Sequence, residues 1–206
     1  MQTGDYIVHI VDDEEPVRKS LAFLLGMAGF AVRMHDSASD FLAAAPSIRN
    51  GVLVTDLRMP DMSGVDLLRN LASLKATLPA IVITGHGDVP MAVEAMKAGA
   101  IDFIEKPFED VVIIEAIQRA AEQLVDKPAE IDDVATIQSR LERLSDRERQ
   151  VLSGVVAGLP NKSIAYDLDI SPRTVEVHRA NVMAKMQANS LPQLVRMALA
   201  AGFGPT

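Results

Sequence analysis

Four stretches of the chain end in groups that suit one reaction. Asp12 and Asp13 follow the run Tyr6–Val11, Asp56 follows Gly51–Thr55, Thr84 ends Pro79–Thr84, and Lys106 follows Ile101–Glu105. Carboxylates brought to one place repel each other unless a cation sits among them. Hard oxygen donors with positions left for water suit Mg²⁺ better than Zn²⁺. A lysine there would pair with Asp56 and with a phosphoryl group on it, and a threonine hydroxyl would hydrogen-bond a phosphoryl oxygen. A carboxylate nucleophile, a divalent cation, an ammonium and a hydroxyl together meet the demands of phosphoryl transfer, which are in-line positioning and charge neutralisation. A single Asp pair is more often a solvated turn or a helix cap. Four segments each delivering a fitting group is the stronger signal.

For these groups to meet, the segments that carry them must be strands of one sheet. With Ala31–His35 they make five short apolar runs, each followed by enough chain for a helix. Val52-Leu53-Val54 and Ile81-Val82-Ile83 are apolar without alternation, as in strands buried on both faces of a parallel sheet. The expected fold is α/β, a doubly wound five-stranded parallel sheet. Ligands of such sheets bind beyond the carboxyl ends of the strands, where all four groups fall.

These residues resemble a known family. Val11-Asp12-Asp13, Asp56-Leu57-Arg58-Met59-Pro60-Asp61-Met62-Ser63-Gly64, Thr84-Gly85-His86-Gly87-Asp88 and Lys106-Pro107-Phe108 look like the flavodoxin-like receiver domain of two-component response regulators, over essentially all of residues 5–126. The resemblance implies that Asp56 is the phospho-acceptor and that Thr84 and Lys106 hold the phosphoryl oxygens. It also implies Mg²⁺ held by Asp13, by Asp12 through water, by Asp56 and by the Arg58 carbonyl. Phe103 takes the place of the family's aromatic switch residue, without the hydroxyl a tyrosine would offer. The Lys106-Pro107 bond is expected to be cis, as it usually is in the family.

Composition adds a second domain. The 206 residues carry a net charge of −8, which taken whole argues against nucleic-acid binding. Resolved by segment, residues 1–126 carry −9, residues 127–144 carry −1 and residues 145–206 carry +2. Pro128 and the acidic residues after it mark a boundary. Ile131, Val134, Ile137, Leu141 and Leu144 then recur at helical spacing, so 127–144 reads as a linker that is helical at least in part. Residues 145–206 show no strand pattern but four helix starts, at Ser145, Asn161, Ser171-Pro172 and Ser190. The absence of cysteine excludes disulfides and thiolate chemistry, and no apolar run is long enough to span a membrane. A cytoplasmic protein is the expectation.

The last segment resembles the four-helix, helix-turn-helix domain of the LuxR class, through Leu144-Ser145-Asp146-Arg147-Glu148, Gly158-Leu159-Pro160-Asn161-Lys162-Ser163-Ile164-Ala165 and Ser171-Pro172-Arg173-Thr174-Val175-Glu176-Val177-His178. On the helix opening at Pro172, a step of ~100° per residue gathers Val175, Val182 and Met186 on one face. Arg173, Val177, Ala180 and Ala184 fall opposite, flanked by Glu176 and Asn181, and such a face lets a helix lie close in a major groove. Arg173, Thr174, Glu176, Val177 and Asn181 are the candidate DNA contacts on this helix. Lys162, Arg179 and Lys185 are expected at phosphates.

A +2 domain binds DNA weakly as one copy, and pairing is the usual remedy. The apolar segment Val89–Ala98 is the candidate dimer face, with Val89, Met91, Val93, Met96 and Lys97, because the family commonly pairs there on phosphorylation. The final helix, Ser190–Gly202, commonly pairs in LuxR-type domains. The expected role is a phosphorylation-activated DNA-binding transcription regulator, a switch and not an enzyme, with at most slow hydrolysis of its aspartyl phosphate. Its partners would be a histidine kinase, promoter DNA, RNA polymerase and a second copy when phosphorylated. Within the family the chain is similar to regulators of nitrogen fixation, which implies nitrogen-fixation promoters and an oxygen-sensing haem kinase.

Two other readings compete. One is a Mg²⁺-dependent phosphatase or phosphotransferase carrying a helical interaction module; enzymes of the haloacid-dehalogenase type place a second Asp two residues after the first, where this chain has Arg58. A constitutive DNA-binding protein with a vestigial receiver would bind promoters equally with and without a phosphodonor. His9, His35 and His178 are scattered, and lone His86 between glycines reads as a loop contact and not a ligand.

Overall fold

The structure is a computed structural model, and it describes residues 5–74, 76, 78–85, 89–124 and 134–203. His86, Gly87 and Asp88, the Lys127-Pro128 boundary and Ile131 lie outside the described residues. The chain divides into two compact units, the described parts of Met1–Gly87 with Ala98–Ala129, and those of Asp88–Lys97 with Glu130–Thr206.

In the first unit, β1 (Ile7–Val11), β2 (Ala31–His35), β3 (Gly51–Asp56), β4 (Ala80–Thr84) and β5 (Asp102–Glu105) form one sheet. The strand order is β2-β1-β3-β4-β5, all parallel. Every residue of β3 and β4 is buried, which accounts for their unbroken apolar runs, whereas the edge strand β2 is buried only at His35. The four crossovers use α1 (Glu15–Met27), α2 (Ala38–Ala44), α3 (Gly64–Ser73) and α4 (Val89–Lys97), and α5 (Asp110–Ala121) follows β5. Val8, Ile10, Val52, Val54, Ile81 and Ile83 alternate along their strands and meet Leu21 and Leu25 of α1 and Ile113 and Ile117 of α5 in one core. Ser37 and Ser63 cap α2 and α3 by accepting the N–H groups of Asp40 and Asp66.

The carboxyl ends of the strands are laced together. Leu57 N–H donates to the Ile83 carbonyl at 2.9 Å and Lys106 N–H to the Thr84 carbonyl at 2.7 Å, so Asp56, Thr84 and Lys106 share one rim. The Lys106-Pro107 bond is cis.

The second unit holds α4 and five further helices, α6 (Val134–Glu142), α7 (Asp146–Val156), α8 (Asn161–Leu168), α9 (Pro172–Met186) and α10 (Leu191–Ala200), with α4 packed on α10 and α7. The serine-led starts hold. Ser145 and Glu148 form a full capping box, and Ser171 and Ser190 cap α9 and α10. At Ser190 the box is not closed, because the Gln193 side chain accepts from Asn189 N–H instead. Helices α8 and α9 end at left-handed residues, Asp169 at φ 53° and Gln187 at φ 55°.

The core of this unit gathers Ile137, Leu141 and Leu144 with Leu152, Val156, Val182, Met186 and Leu194. The expected connecting helix therefore exists and is built into the helical unit; of its apolar stripe, Val134 stays exposed. Gly154 has a packing reason for its missing side chain, since a Cβ there would stand 2.8 Å from Ile164 Cγ1 across the α7–α8 crossing.

Candidate functional site

The rim of the first unit is built around one ammonium. Lys106 Nζ donates to Asp56 Oδ1 at 2.8 Å and to Asp12 Oδ2 at 3.1 Å. The remaining carboxylate oxygens are also held, Asp12 Oδ1 by the N–H of Glu14 at 2.9 Å and Asp56 Oδ2 by the N–H of Arg58 at 2.6 Å. Arg18 of α1 donates to the Asp12 carbonyl at 2.6 Å. Asp12, Asp56 and Thr84 are buried, while Asp13 lies exposed. The Asp56 carboxylate is thus fixed at the very end of β3, with Thr84 at the end of the next strand.

Burial pushes the Asp12 carboxyl above its ordinary range, against the pull of the Glu14 N–H and of Lys106. For Lys106, burial alone would lower the pKa, but its hydrogen bonds to Asp56 and Asp12 and their charges outweigh it, and the ammonium is held above its ordinary value. Two carboxylates on one ammonium leave an excess negative charge in a desolvated place, with a third at the exposed rim. Among the described residues no three His, Asp or Glu groups meet at metal distance. The convergent pair offers only hard oxygen donors and is short of positive charge, and that donor set fits a hard divalent cation.

Gly64 belongs to this site. A Cβ on Gly64 would run into the carbonyl of Asp56, and Gly64 N–H donates to the Leu57 carbonyl at 2.9 Å. Only a glycine lets α3 begin this close to the Asp56 backbone. Phe103 is half-buried on β5. Of the candidate dimer face on α4, Val93 and Met96 are buried, Val89 and Met91 half-buried, and Lys97 exposed.

In the second unit α9 divides as its periodicity implies. Val175, Val182 and Met186 are buried at 0%, 1% and 0% exposure, whereas Arg173, Glu176, Val177, Ala180, Asn181 and Ala184 are exposed. Thr174 is half-buried, bonded to the Ser171 hydroxyl, and Lys162 is exposed on α8. Two expected phosphate ligands are engaged within the unit. Arg179 donates to Asn161 Oδ1 at 2.7 Å, and Lys185 pairs with the buried Glu148 at 2.7 Å.

One cluster has no counterpart in the motifs. His9 Nδ1 and His35 Nε2 lie 3.1 Å apart, the rings are stacked, and both present to the edge or face of Phe41. His35 Nδ1 bonds Asp40 at 2.8 Å, while His9 Nε2 is buried with no partner. The two histidines, scattered in sequence, sit two registers apart on the adjacent strands β1 and β2.

Comparison with known proteins agrees with this arrangement. Residues 8–118 match the response regulator receiver domain, and residues 142–198 match the luxR family of bacterial regulatory proteins. The chain is 79% identical over 202 residues to the transcriptional regulatory protein FixJ of Rhizobium meliloti strain 1021, covering 98% of this chain and 99% of that one. It is 55% identical over 198 residues to the FixJ of Azorhizobium caulinodans, covering 96% and 94%. Among solved structures it resembles FixJ-N at 79% identity and TM-score 0.58, over 62% of this chain and all of that one. It also resembles full-length FixJ from B. japonicum at 49% identity and TM-score 0.59, over 97% and 98%. The phosphatase reading falls with these matches. The chain belongs to the response regulators, as a receiver joined to a LuxR-type DNA-binding domain, and it is a phosphorylation-activated transcription regulator.

Proposed function

We propose that Asp56 is the phospho-acceptor and that a histidine kinase, an oxygen-sensing haem protein, is the donor. The observation that carries this is the convergence of Lys106 on Asp56 and Asp12 at the strand ends, beside buried Thr84. Arg58 N–H and Lys106 orient the two oxygens of Asp56, so one of them is presented to an incoming phosphorus. After transfer, Lys106 and the Thr84 hydroxyl hold phosphoryl oxygens. Asp12, Asp13, Asp56 and the Arg58 carbonyl would hold Mg²⁺, which when bound neutralises charge on the phosphoryl group. The intrinsic hydrolysis of the aspartyl phosphate is slow, and the protein acts as a switch.

The receiver spans residues 1–126, the linker 127–144 and the DNA-binding domain 145–206. Phosphorylation adds charge at the rim, Thr84 and Phe103 repack, and the chain dimerises through the α4 face, including Val89, Met91, Val93, Met96 and Lys97. The dimer then places two copies of α9 on nitrogen-fixation promoters in the cytoplasm, where it recruits RNA polymerase. Arg173, Thr174, Glu176, Val177 and Asn181 read base edges and Lys162 meets a phosphate.

The test is Asp56→Asn. With a small-molecule phosphodonor and Mg²⁺, the unmodified chain gains mass as a dimer and binds promoter DNA more tightly, and the variant does neither. A variant that responds like the unmodified chain would sink this reading.

A further inference from the structure

The basic residues near the end of α9 are engaged with protein, and that engagement has a consequence for DNA reading. The last carbonyls of a helix are acceptors without intrahelical partners, at the negative end of its dipole. At the end of α9, Arg140 of α6 donates to the Met186 carbonyl at 3.2 Å. Lys185 donates to the Arg143 carbonyl at 3.3 Å and pairs with Glu148 of α7 at 2.7 Å. The Glu148 side chain is 6% exposed, and its Oε2 also accepts Ser145 N–H at 2.7 Å. If Lys185 swung out to a phosphate, that buried carboxylate would lose its ammonium, which is strongly unfavourable. The cation is therefore held where it is.

The two contacts act on a lever. A helix of 15 residues is about 22 Å long, so a tilt of about 10° at one end moves the other by about 4 Å, roughly one base step. The first two-thirds of the helix carries the exposed face from Arg173 to Asn181, while the carboxyl end is buried at Met186 and clamped from α6 and α7. Arg140 lies outside the residues matching the luxR family, which begin at 142.

We propose that Arg140 and Lys185 are positioning residues for DNA recognition. They fix the carboxyl end of α9 against α6 and α7 and so set the angle at which its exposed face meets a base sequence, without touching DNA. This rests on the reading that α9 is the recognition helix. It makes α6 a working part of the DNA-binding unit and reverses the expectation that Lys185 meets a phosphate.

The experiment uses the phosphorylated full chain and two duplexes of equal length, one selected by the unmodified protein from a random pool and one scrambled. Affinity for each is measured across a salt series for Arg140→Ala, Arg140→Lys, Lys185→Met, Glu148→Gln and Arg173→Ala. Arg140→Ala and Lys185→Met are expected to lose about tenfold on the selected duplex, the size of one charge-assisted hydrogen bond, with the scrambled duplex and the salt slope little changed. Arg140→Lys recovers part of the loss, and Lys185→Met combined with Glu148→Gln is no worse than either alone. Equal losses on both duplexes, with a salt slope reduced by about 1, would make Lys185 a phosphate ligand and overturn the proposal. Unchanged selectivity in the mildest variants, Arg140→Lys and Glu148→Gln, together with unchanged selectivity in Arg140→Ala, would overturn it as well. Arg173→Ala separates the two readings. If it keeps full selectivity, α9 is not the reading helix; if it alone loses selectivity, only the positioning role fails.

Discussion

Lys106 and Asp56, 50 residues apart in sequence, meet at 2.8 Å at the carboxyl ends of β5 and β3, across the end of the intervening β4, and the same ammonium reaches Asp12 at 3.1 Å. One cation is thus shared between the Asp56 carboxylate and its buried neighbour, and offsets only part of their charge. The Lys106 side chain is 23% exposed, so solvent screens part of the attraction.

Lys106→Met should destabilise the unphosphorylated chain by about 1–3 kcal/mol at neutral pH, because Asp12 is left buried and uncompensated. The deficit should shrink as pH falls, since the Asp12 carboxyl, already pushed up by burial, then takes a proton and sheds the unpaired charge. Urea unfolding at pH 7 and near pH 4 checks this. An equal deficit at both pH values would show that the loss is packing alone.

Gly64 and Gly26 make a matched pair of glycine tests. A Cβ at Gly64 meets the Asp56 carbonyl, whereas one at Gly26 on α1 meets nothing within 4 Å. Gly64→Ala should cost about 1–3 kcal/mol, as overpacking does, and should slow phosphorylation by displacing the acceptor loop. Gly26→Ala should stabilise the fold by about 0.4–1 kcal/mol through a stiffer unfolded chain and leave phosphorylation unchanged. Thermal unfolding and phosphate incorporation from a small phosphodonor decide both.

The strand ends were the most legible part of the chain. Every rim group stands where an apolar run gives way to a polar residue, and a parallel sheet has only one place to put such residues. The two faces of α9 were equally readable, because Val175, Val182 and Met186 share a helical stripe. What periodicity could not show was pairing across long separations. Glu148 reads as a capping residue from its place three after Ser145, and it is that. Nothing local says that its carboxylate also binds Lys185, 37 residues on. Arg179 and Lys185 looked free for phosphate for the same reason. His9 and His35 looked unrelated until the β1–β2 register set them side by side.

That histidine pair gives the molecule an acid limit. The His9 and His35 rings share a hydrogen bond between Nδ1 and Nε2, His35 Nδ1 bonds Asp40, and His9 Nε2 is left buried without a partner. Burial first, then the charges of His35 and Arg33, lower the His9 pKa from 6.5 to about 4. The unfolded chain binds that proton below its ordinary pKa and the folded chain does not. Stability from His9 is therefore fully present above 6.5 and lost as pH falls towards 4. Between pH 7.5 and 5.5 the loss should be about 1.4 kcal/mol. His9→Leu should flatten that part of the urea-unfolding profile, and a profile of unchanged slope would remove His9 from the account.

On α9, exposure separates the residues proposed to read bases from those packed into the core. Val177 is 55% exposed with Ala180 and Ala184 on the same face, which lets the backbone approach a groove and lets the valine cover a thymine methyl. Lys162 is exposed and stands at the start of α8, where the helix dipole also favours a phosphate. Lys162→Ala should weaken selected and scrambled duplexes alike and lower the salt slope by about 1. Val177→Ala should cost about 1 kcal/mol, roughly fivefold, on the selected duplex only, because the valine's apolar contact is with a base and not with the backbone. If Val177→Ala weakened both duplexes equally, its face would be lying on the phosphate backbone and the groove would be read by other residues.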